Sequence, residues 1–404
     1  MKVGADGFFH LTYCTNVHPA DGWDEVLANV EQYGGALKER LAPEAAFGLG
    51  LRLSSKDSCE LLEGDRLPRF KELLDRQGLY VAIINGFPYG PFHGEVIKSA
   101  VFAPDWREEA RVQYTLRLVE ILSTLLPDDV DGGISTCPLS YKGWIDPCDD
   151  AAWESITDNL ARIAAALVRT RETHGKLIHL DIEPEPDGLI EDSHEVERFY
   201  RRWLLSYGAQ RLAEMLGTDE PGAREHLLEH IRICWDTCHA AVEFEDPADV
   251  LARFDAAGIK VGRIQVSAAV KIGLPNDPNE REAIGRELAP FAESTYLHQV
   301  LQRNADGTLH HYADLPDALA SLQDPDAEEW RTHFHVPIFL DKYGRLGSTQ
   351  DDILRVFRLA EERRFTRHLE IETYTWDVLP ADLKRDLLSS VSREYRWVMD
   401  VIDA

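Results

Sequence analysis

The chain has 404 residues, 44% of them apolar, and 71 acidic against 43 basic side chains, for a net charge of −28. That length accommodates one barrel of about 250 residues with insertions, or two domains, and the acidic excess argues against a nucleic-acid or anionic-membrane partner, whose phosphates need Lys and Arg. No apolar run approaches the roughly 18 residues that span a bilayer, and Met1-Lys2-Val3-Gly4-Ala5-Asp6 lacks the apolar core of a signal peptide, so a cytoplasmic chain without an integral membrane segment is expected.

In chain order, strand-like runs are expected at Phe9 to Thr15, Phe47 to Leu53, Leu79 to Asn85, Gly132 to Cys137, Leu177 to Glu183, Ile231 to Asp236, Val261 to Ser267 and His368 to Thr373. Between them lie amphipathic helical patterns, among them Trp23 to Leu41, Trp106 to Leu126, Trp153 to Thr173 and Glu195 to Leu216. In the second of these, Val112, Leu116, Val119 and Leu122 form one apolar stripe, and Pro104-Asp105 supplies a start signal. Eight strands alternating with helices predict an α/β fold with a parallel sheet, a (β/α)8 TIM barrel in a single domain over 1–404.

One region breaks the alternation. Tyr296 to Val300 and Leu309 to Tyr312 flank Asn304-Ala305-Asp306-Gly307, a turn signal between alternating runs that predicts a hairpin. A ninth strand-like run follows, Arg331-Thr332-His333-Phe334-His335-Val336-Pro337-Ile338-Phe339. An insertion is therefore expected over about 273–326, and either Ile264 to Ser267 or Phe334 to Phe339 can take the seventh barrel position.

Carboxylates gather where strands should end. Asp181, Glu183 and Glu185 alternate after Leu177-Ile178, with Pro184 and Pro186 closing the ladder, so the three share a face. Like charges that close repel unless a cation or solvent compensates; the alternatives are a metal and a solvated edge. Asp236 follows Ile233-Cys234-Trp235, and a turn can swing His239 back beside it, which suits a divalent cation or, equally, a helix cap with an ordinary loop histidine. Glu370 and Glu372 alternate against Leu369 and Ile371 in the last strand. A closed parallel barrel brings such distant strand ends around one axis.

The six cysteines, Cys14, Cys59, Cys137, Cys148, Cys234 and Cys238, include no Cys-x-x-Cys pair and read as reduced, apolar-packed thiols. A thiolate ligand at Cys238 is the weaker alternative.

Glu183, the Asp236-Thr237-Cys238-His239 motif, Gln265 in Gly262-Arg263-Ile264-Gln265-Val266, and Glu372 resemble the strand-end pattern of the xylose-isomerase-like sugar isomerase and epimerase superfamily. Longer segments, Leu11 to Pro19 around His18, Asn85 to His93, Ser135 to Tyr141 and His333 to Pro337, resemble the EboE-type metabolite traffic proteins, a branch of that superfamily, over nearly the whole chain. The resemblance implies a divalent metal at the C-terminal mouth, commonly manganese, zinc or iron, with Glu183, Asp236, Gln265 and Glu372 as ligands. It implies that both glutamates move protons and that His239 contacts substrate oxygen, giving isomerisation or epimerisation of a small polyhydroxylated or keto metabolite.

Many relatives carry histidine where Gln265 stands. If the run after the insertion is a barrel strand, alternation puts His333 and His335 on one face and Phe334 on the other, so either imidazole, preferably His335 near the strand's far end, can replace the missing one; the alternative is that both hydrogen-bond inside a wall of the insertion. His18, His93, Asn85 and Lys142 are candidate substrate contacts from the mouth loops, and Glu185, Glu370 and Arg263 candidate supports that orient ligands or balance charge. A homodimer through surface helices is a further expectation. Two rival functions belong to other classes: a metabolite carrier on the same barrel without turnover, and an endonuclease-IV-like phosphodiesterase, which the acidic charge disfavours.

Overall fold

A computed structural model describes residues 1–90, 98–292, 297–377, 379 and 386–403. Eight parallel strands form the barrel: β1 (Phe9–Tyr13), β2 (Phe47–Arg52), β3 (Leu79–Asn85), β4 (Gly132–Thr136), β5 (Ile178–Ile182), β6 (Ile231–Asp236), β7 (Val261–Val266) and a last strand, His368–Ile371. Helices make the crossovers between them, because a parallel neighbour can be reached only by a crossover; after β7 an inserted sheet comes before the helix Gln350–Arg363 that leads to the last strand. The last strand lies between β7 and β1, with Glu370 opposite Gln265 on one side and Thr12 on the other. Between β1 and β2 the ring closes through the Cys14–Gly50 bridge and the Arg52 amide, which donates to Thr15 Oγ1 at 2.8 Å.

All eight strands are buried on both faces. Outward residues such as Leu49, Val81, Leu180, Ile233 and Ile264 pack beneath the helices, while inward positions carry much of the polar chemistry. Gly50 leaves the space for it: a Cβ there would come within 1.7 Å of Glu370 Oε1. The expected strands match these eight, and Val261–Val266 takes the seventh position, leaving Phe334 to Phe339 outside the barrel.

The helix expected from Trp106 starts instead at Glu109 and runs to Leu125. Asp105 does not cap it; its carboxylate takes the Arg107 guanidinium at 2.7 Å and the Ser140 hydroxyl at 2.6 Å. The long helix Asp150–His174 is capped by Asp149, which accepts from the Ala152 amide, and ends at Gly175, whose left-handed φ of 70° relieves the last carbonyls.

Between β7 and the last barrel strand stands a second, antiparallel sheet: β8 (Ala268–Gly273), β9 (Val300–Asn304), β10 (Leu309–Tyr312), β11 (Ala327–Val336), β12 (Lys342–Tyr343) and β13 (Leu346–Ser348). The 273–326 segment lies within this longer span, and the 304–307 turn joins β9 to β10 with Gly307 at φ 83°. In β11 the register slips: Thr332 faces Val270 but Val336 faces Ala268. Four steps on one strand against two on the other make a bulge spanning His333–His335, a feature that re-aims side chains. Phe334 turns into the sheet's own core, 5.0 Å from the Phe291 ring. Numbering the remaining strand in order, His368–Ile371 is β14. No helix of the described residues is long and apolar enough to cross a membrane.

Candidate metal centre at the barrel mouth

Strand ends place four carboxylates at the C-terminal mouth. Glu183 and Glu185 follow β5, Asp236 ends β6 and Glu372 follows β14; all four are buried. Oxygens of Glu183, Asp236 and Glu372 lie within 4.8 Å of one another. Asp236 divides its two oxygens. Oδ1 accepts from the Cys238 and His239 amides, at 2.7 and 3.2 Å, and from the Ser267 hydroxyl, so Asp236 does cap the short Thr237–Val242 helix. Oδ2 is buried and receives no hydrogen bond. Glu372 Oε1 accepts from Asn16 Nδ2 at 2.9 Å.

Three imidazoles meet these acids. His239 Nε2 lies 3.8 Å from Asp236 Oδ2 and 3.9 Å from Glu185 Oε2; His335 Nε2 lies 3.9 Å from Asp236 Oδ2. The His239 and His333 rings sit 4.6 Å apart. Each ring has its Nδ1 beside an oxygen that can only accept: His239 to Pro184 O at 3.1 Å, His333 to Gln299 Oε1 at 3.0 Å, His335 to Glu372 O at 2.6 Å. Nδ1 must therefore carry the proton, which leaves Nε2 a lone pair, the arrangement that orients metal-ligating histidines. His333 Nε2 and His335 Nε2 are buried with no hydrogen-bond partner.

The electrostatics agree with a cation-seeking site. Burial first, then neighbouring carboxylates, push Glu183, Glu185 and Glu372 well above the usual carboxylate range. Burial pulls His335 down to about 4 and His333 well below its ordinary value, so both are neutral. Among the described residues no Lys or Arg forms an ion pair with any of the four mouth acids. Uncompensated buried carboxylates are costly. Orphaned donor atoms, hard oxygens and imidazole nitrogens fit a divalent transition metal or magnesium.

Not every expected residue reaches the cleft. Gln265 accepts the Cys234 thiol on its Oε1 at 2.9 Å. Asn85 lines the cleft, with its Nδ2 donating to Glu370 Oε1 at 2.8 Å. Arg263 is buried between Asp181 and Glu370, 3.1 Å from each. His18 hydrogen-bonds Tyr13 at 3.1 Å and stacks on Tyr33, outside the lining of the cleft. Lys142 is drawn into ion pairs with Glu191 and Glu195, also outside that lining. His93 lies outside the described residues. Cys238 comes near His333 and His335, and burial pushes its thiol up, which keeps it protonated.

The cleft above the acids holds about 740 Å³ of empty space, part of it open to solvent. Glu183, Glu185, Glu372 and the three imidazoles line it together with Asn16, Arg52, Phe87, Phe102, Gln299 and Tyr374. Asn16 and Gln299 were missed as site residues. The first lies just past β1 in a Thr-Asn-Val turn, a position where a barrel strand delivers function; the second sits in the insertion, where nothing local signals it.

No protein-family profile matches this chain, and no curated protein does. Among solved structures it is similar to a xylose isomerase-like TIM barrel protein from Mycobacterium smegmatis in complex with magnesium, over 98% of this chain and 96% of that one, at 11% identity and a TM-score of 0.51. It is also similar to D-allulose 3-epimerase from Methylomonas sp., over 99% of each chain, at 10% identity and a TM-score of 0.50. At such identities the likeness is one of fold, a xylose-isomerase-like α/β barrel.

Proposed function

We propose that the protein is a divalent-metal-dependent isomerase or epimerase acting on a small polyhydroxylated or keto metabolite. The observation that carries this reading is the cluster of buried, uncompensated carboxylates ringed by imidazoles whose Nε2 atoms are unprotonated. Glu183, Asp236 and Glu372 would hold the ion, with His335 from the inserted sheet in place of Gln265, whose amide oxygen Cys234 occupies. Once bound, a divalent ion polarises carbonyl and hydroxyl oxygens and acidifies the neighbouring C–H bond.

The chain supplies the rest. Glu183 and Glu372 arrive from the fifth and eighth strands, and each can take a proton from carbon on its own side and return it. Their environment favours proton capture, because burial and crowding raise the affinity of both carboxylates for a proton. Asn16 holds Glu372 in place through Oε1. Phe87, Phe102 and Tyr374 give the cleft an aromatic wall. The similar Methylomonas protein is a D-allulose 3-epimerase, and a ketose falls within the substrate class proposed here.

The test is deuterium uptake from D2O into a panel of ketoses, aldoses and related hydroxy-ketones after loading with Mn²⁺, Zn²⁺, Fe²⁺ or Mg²⁺. Exchange that requires metal and is lost in Glu183→Gln and Glu372→Gln supports the reading. Metal and ligand binding with no exchange across the panel would overturn it in favour of an EboE-type carrier.

A further inference from the structure

Seven donor side chains line up across the mouth, more than one small cation takes from a protein. They fall into overlapping sets, each within 4.8 Å: Glu183, Asp236 and Glu372; Asp236, His239 and His335; Glu185, His239 and His333. No set contains both Glu372 and Glu185. With metal–ligand distances of about 2.0–2.2 Å, the donors of one ion lie within roughly 4 Å of one another, so donors that share no common set cannot all serve a single centre.

Removing Glu183, Asp236, Glu372 and His335 for the ion proposed above leaves Glu185, His239 and His333. We propose that these three hold a second divalent cation, making the mouth a dinuclear centre with Asp236 between the two ions; this rests on the metal-dependent reading above.

Three observations converge on it. Glu185 Oε1 and His333 Nε2 are both buried and both lack a hydrogen-bond partner. The Nε2 atoms of His239 and His333 are lone pairs by the tautomer argument, since Pro184 O and Gln299 Oε1 fix the protons on Nδ1. Charge gives the third. Deprotonated, as metal ligands are, the four carboxylates would bring −4 to the mouth, which one divalent ion half offsets and two balance. Asp236 Oδ2, 3.8 Å from His239 Nε2 and 3.9 Å from His335 Nε2, sits where a carboxylate can bridge.

The insertion thereby becomes part of the site. The bulge in β11 turns both His333 and His335 toward the mouth, one for each ion, while Gln299 just ahead of β9 orients His333 through both its side chain and its backbone carbonyl. A donor set of two nitrogens and one carboxylate suits zinc, iron or manganese.

The experiment strips the full chain with chelator, reloads it with Mn²⁺ or Zn²⁺, removes free ion, and counts bound metal per chain by plasma mass spectrometry. Wild type is expected to hold two, and His333→Ala and Glu185→Gln one each. On Mn²⁺-loaded wild type, electron paramagnetic resonance should show an exchange-coupled pair that becomes an isolated six-line signal in either variant. Should His333→Ala fail to fold, Glu185→Gln on a different element and the wild-type spectrum still decide. One ion in wild type with an uncoupled spectrum overturns the second site and leaves the first standing. Two ions that persist in both variants overturn the assignment to these residues, and no bound ion in wild type removes the metal-dependent reading as well.

Discussion

Two layers of the barrel interior, one pleat apart on the same strands, treat identical chemistry differently. Asp181 and Glu183 are two residues apart at the end of β5, and Glu370 and Glu372 are two apart at the end of β14. The lower acid of each pair meets Arg263 at 3.1 Å, and Asp181 also faces His179. Burial alone would push Asp181 up, but His179 and Arg263 outweigh it and leave it below the usual range. Glu370 stays above its usual range because burial exceeds what Arg263 and Asn85 offset. The upper acids, with Asp236 and Glu185, form no ion pair with Lys or Arg among the described residues; Glu183 and Glu372 are pushed up by burial and by their acidic neighbours, while Asp236, despite its burial, is held down by His239, His335 and the Ser267 hydroxyl. A charge the fold completes is structural; a charge left incomplete is where an external cation belongs.

The largest effect should come from breaking the completed layer. Arg263→Leu would strand Asp181 and Glu370 in the interior and cost about 3–5 kcal/mol, read by denaturant unfolding. The matching change above has the opposite sign without metal: Glu372→Gln removes one of the crowded carboxylates, so the chelated variant should melt above chelated wild type, while exchange into substrate falls about 10²–10⁴-fold. A lower apo melting point for Glu372→Gln would show that its charge is already compensated within the chain.

Next is Gly50→Ala. A methyl group 1.7 Å from Glu370 Oε1 forces that carboxylate off Arg263 and Asn85, for roughly 1–3 kcal/mol lost in thermal unfolding.

The pH response sharpens the contrast. From roughly pH 7.5, about a unit above the ordinary histidine value, His335 is neutral in folded and unfolded chain alike, so its contribution is constant. Acids whose folded affinity for protons is raised lose stability as pH rises toward that raised value, since the unfolded chain releases the proton first. Chelated protein should therefore lose thermal stability as pH rises from about 7.5 through 8, with Glu394, held near 8 by burial, contributing alongside the mouth. Saturating Mn²⁺ should flatten the mouth's share, and Glu372→Gln should reduce the apo slope; equal slopes with and without metal would contradict the comparison. The smallest effect is expected at Gln265→Met, which should leave metal content unchanged because that amide serves Cys234 rather than the ion.

Alternating apolar and acidic residues, and amphipathic helices between them, determined the eight strands and the class of the fold, because strand period and helix period are local properties. The same two-residue period put the carboxylates of 183, 236 and 372 at strand ends, and closing the ring does the rest. Helix starts were less legible: Asp105 looks like a cap until Arg107 and Ser140 claim its oxygens. Tertiary structure alone decided which acids find a guanidinium, that Gln265 turns to Cys234, and that His333 and His335 reach the mouth from a separate antiparallel sheet. Those outcomes depend on pairings between residues tens to hundreds of positions apart and on a register slip against β8, and no local pattern in the chain encodes either.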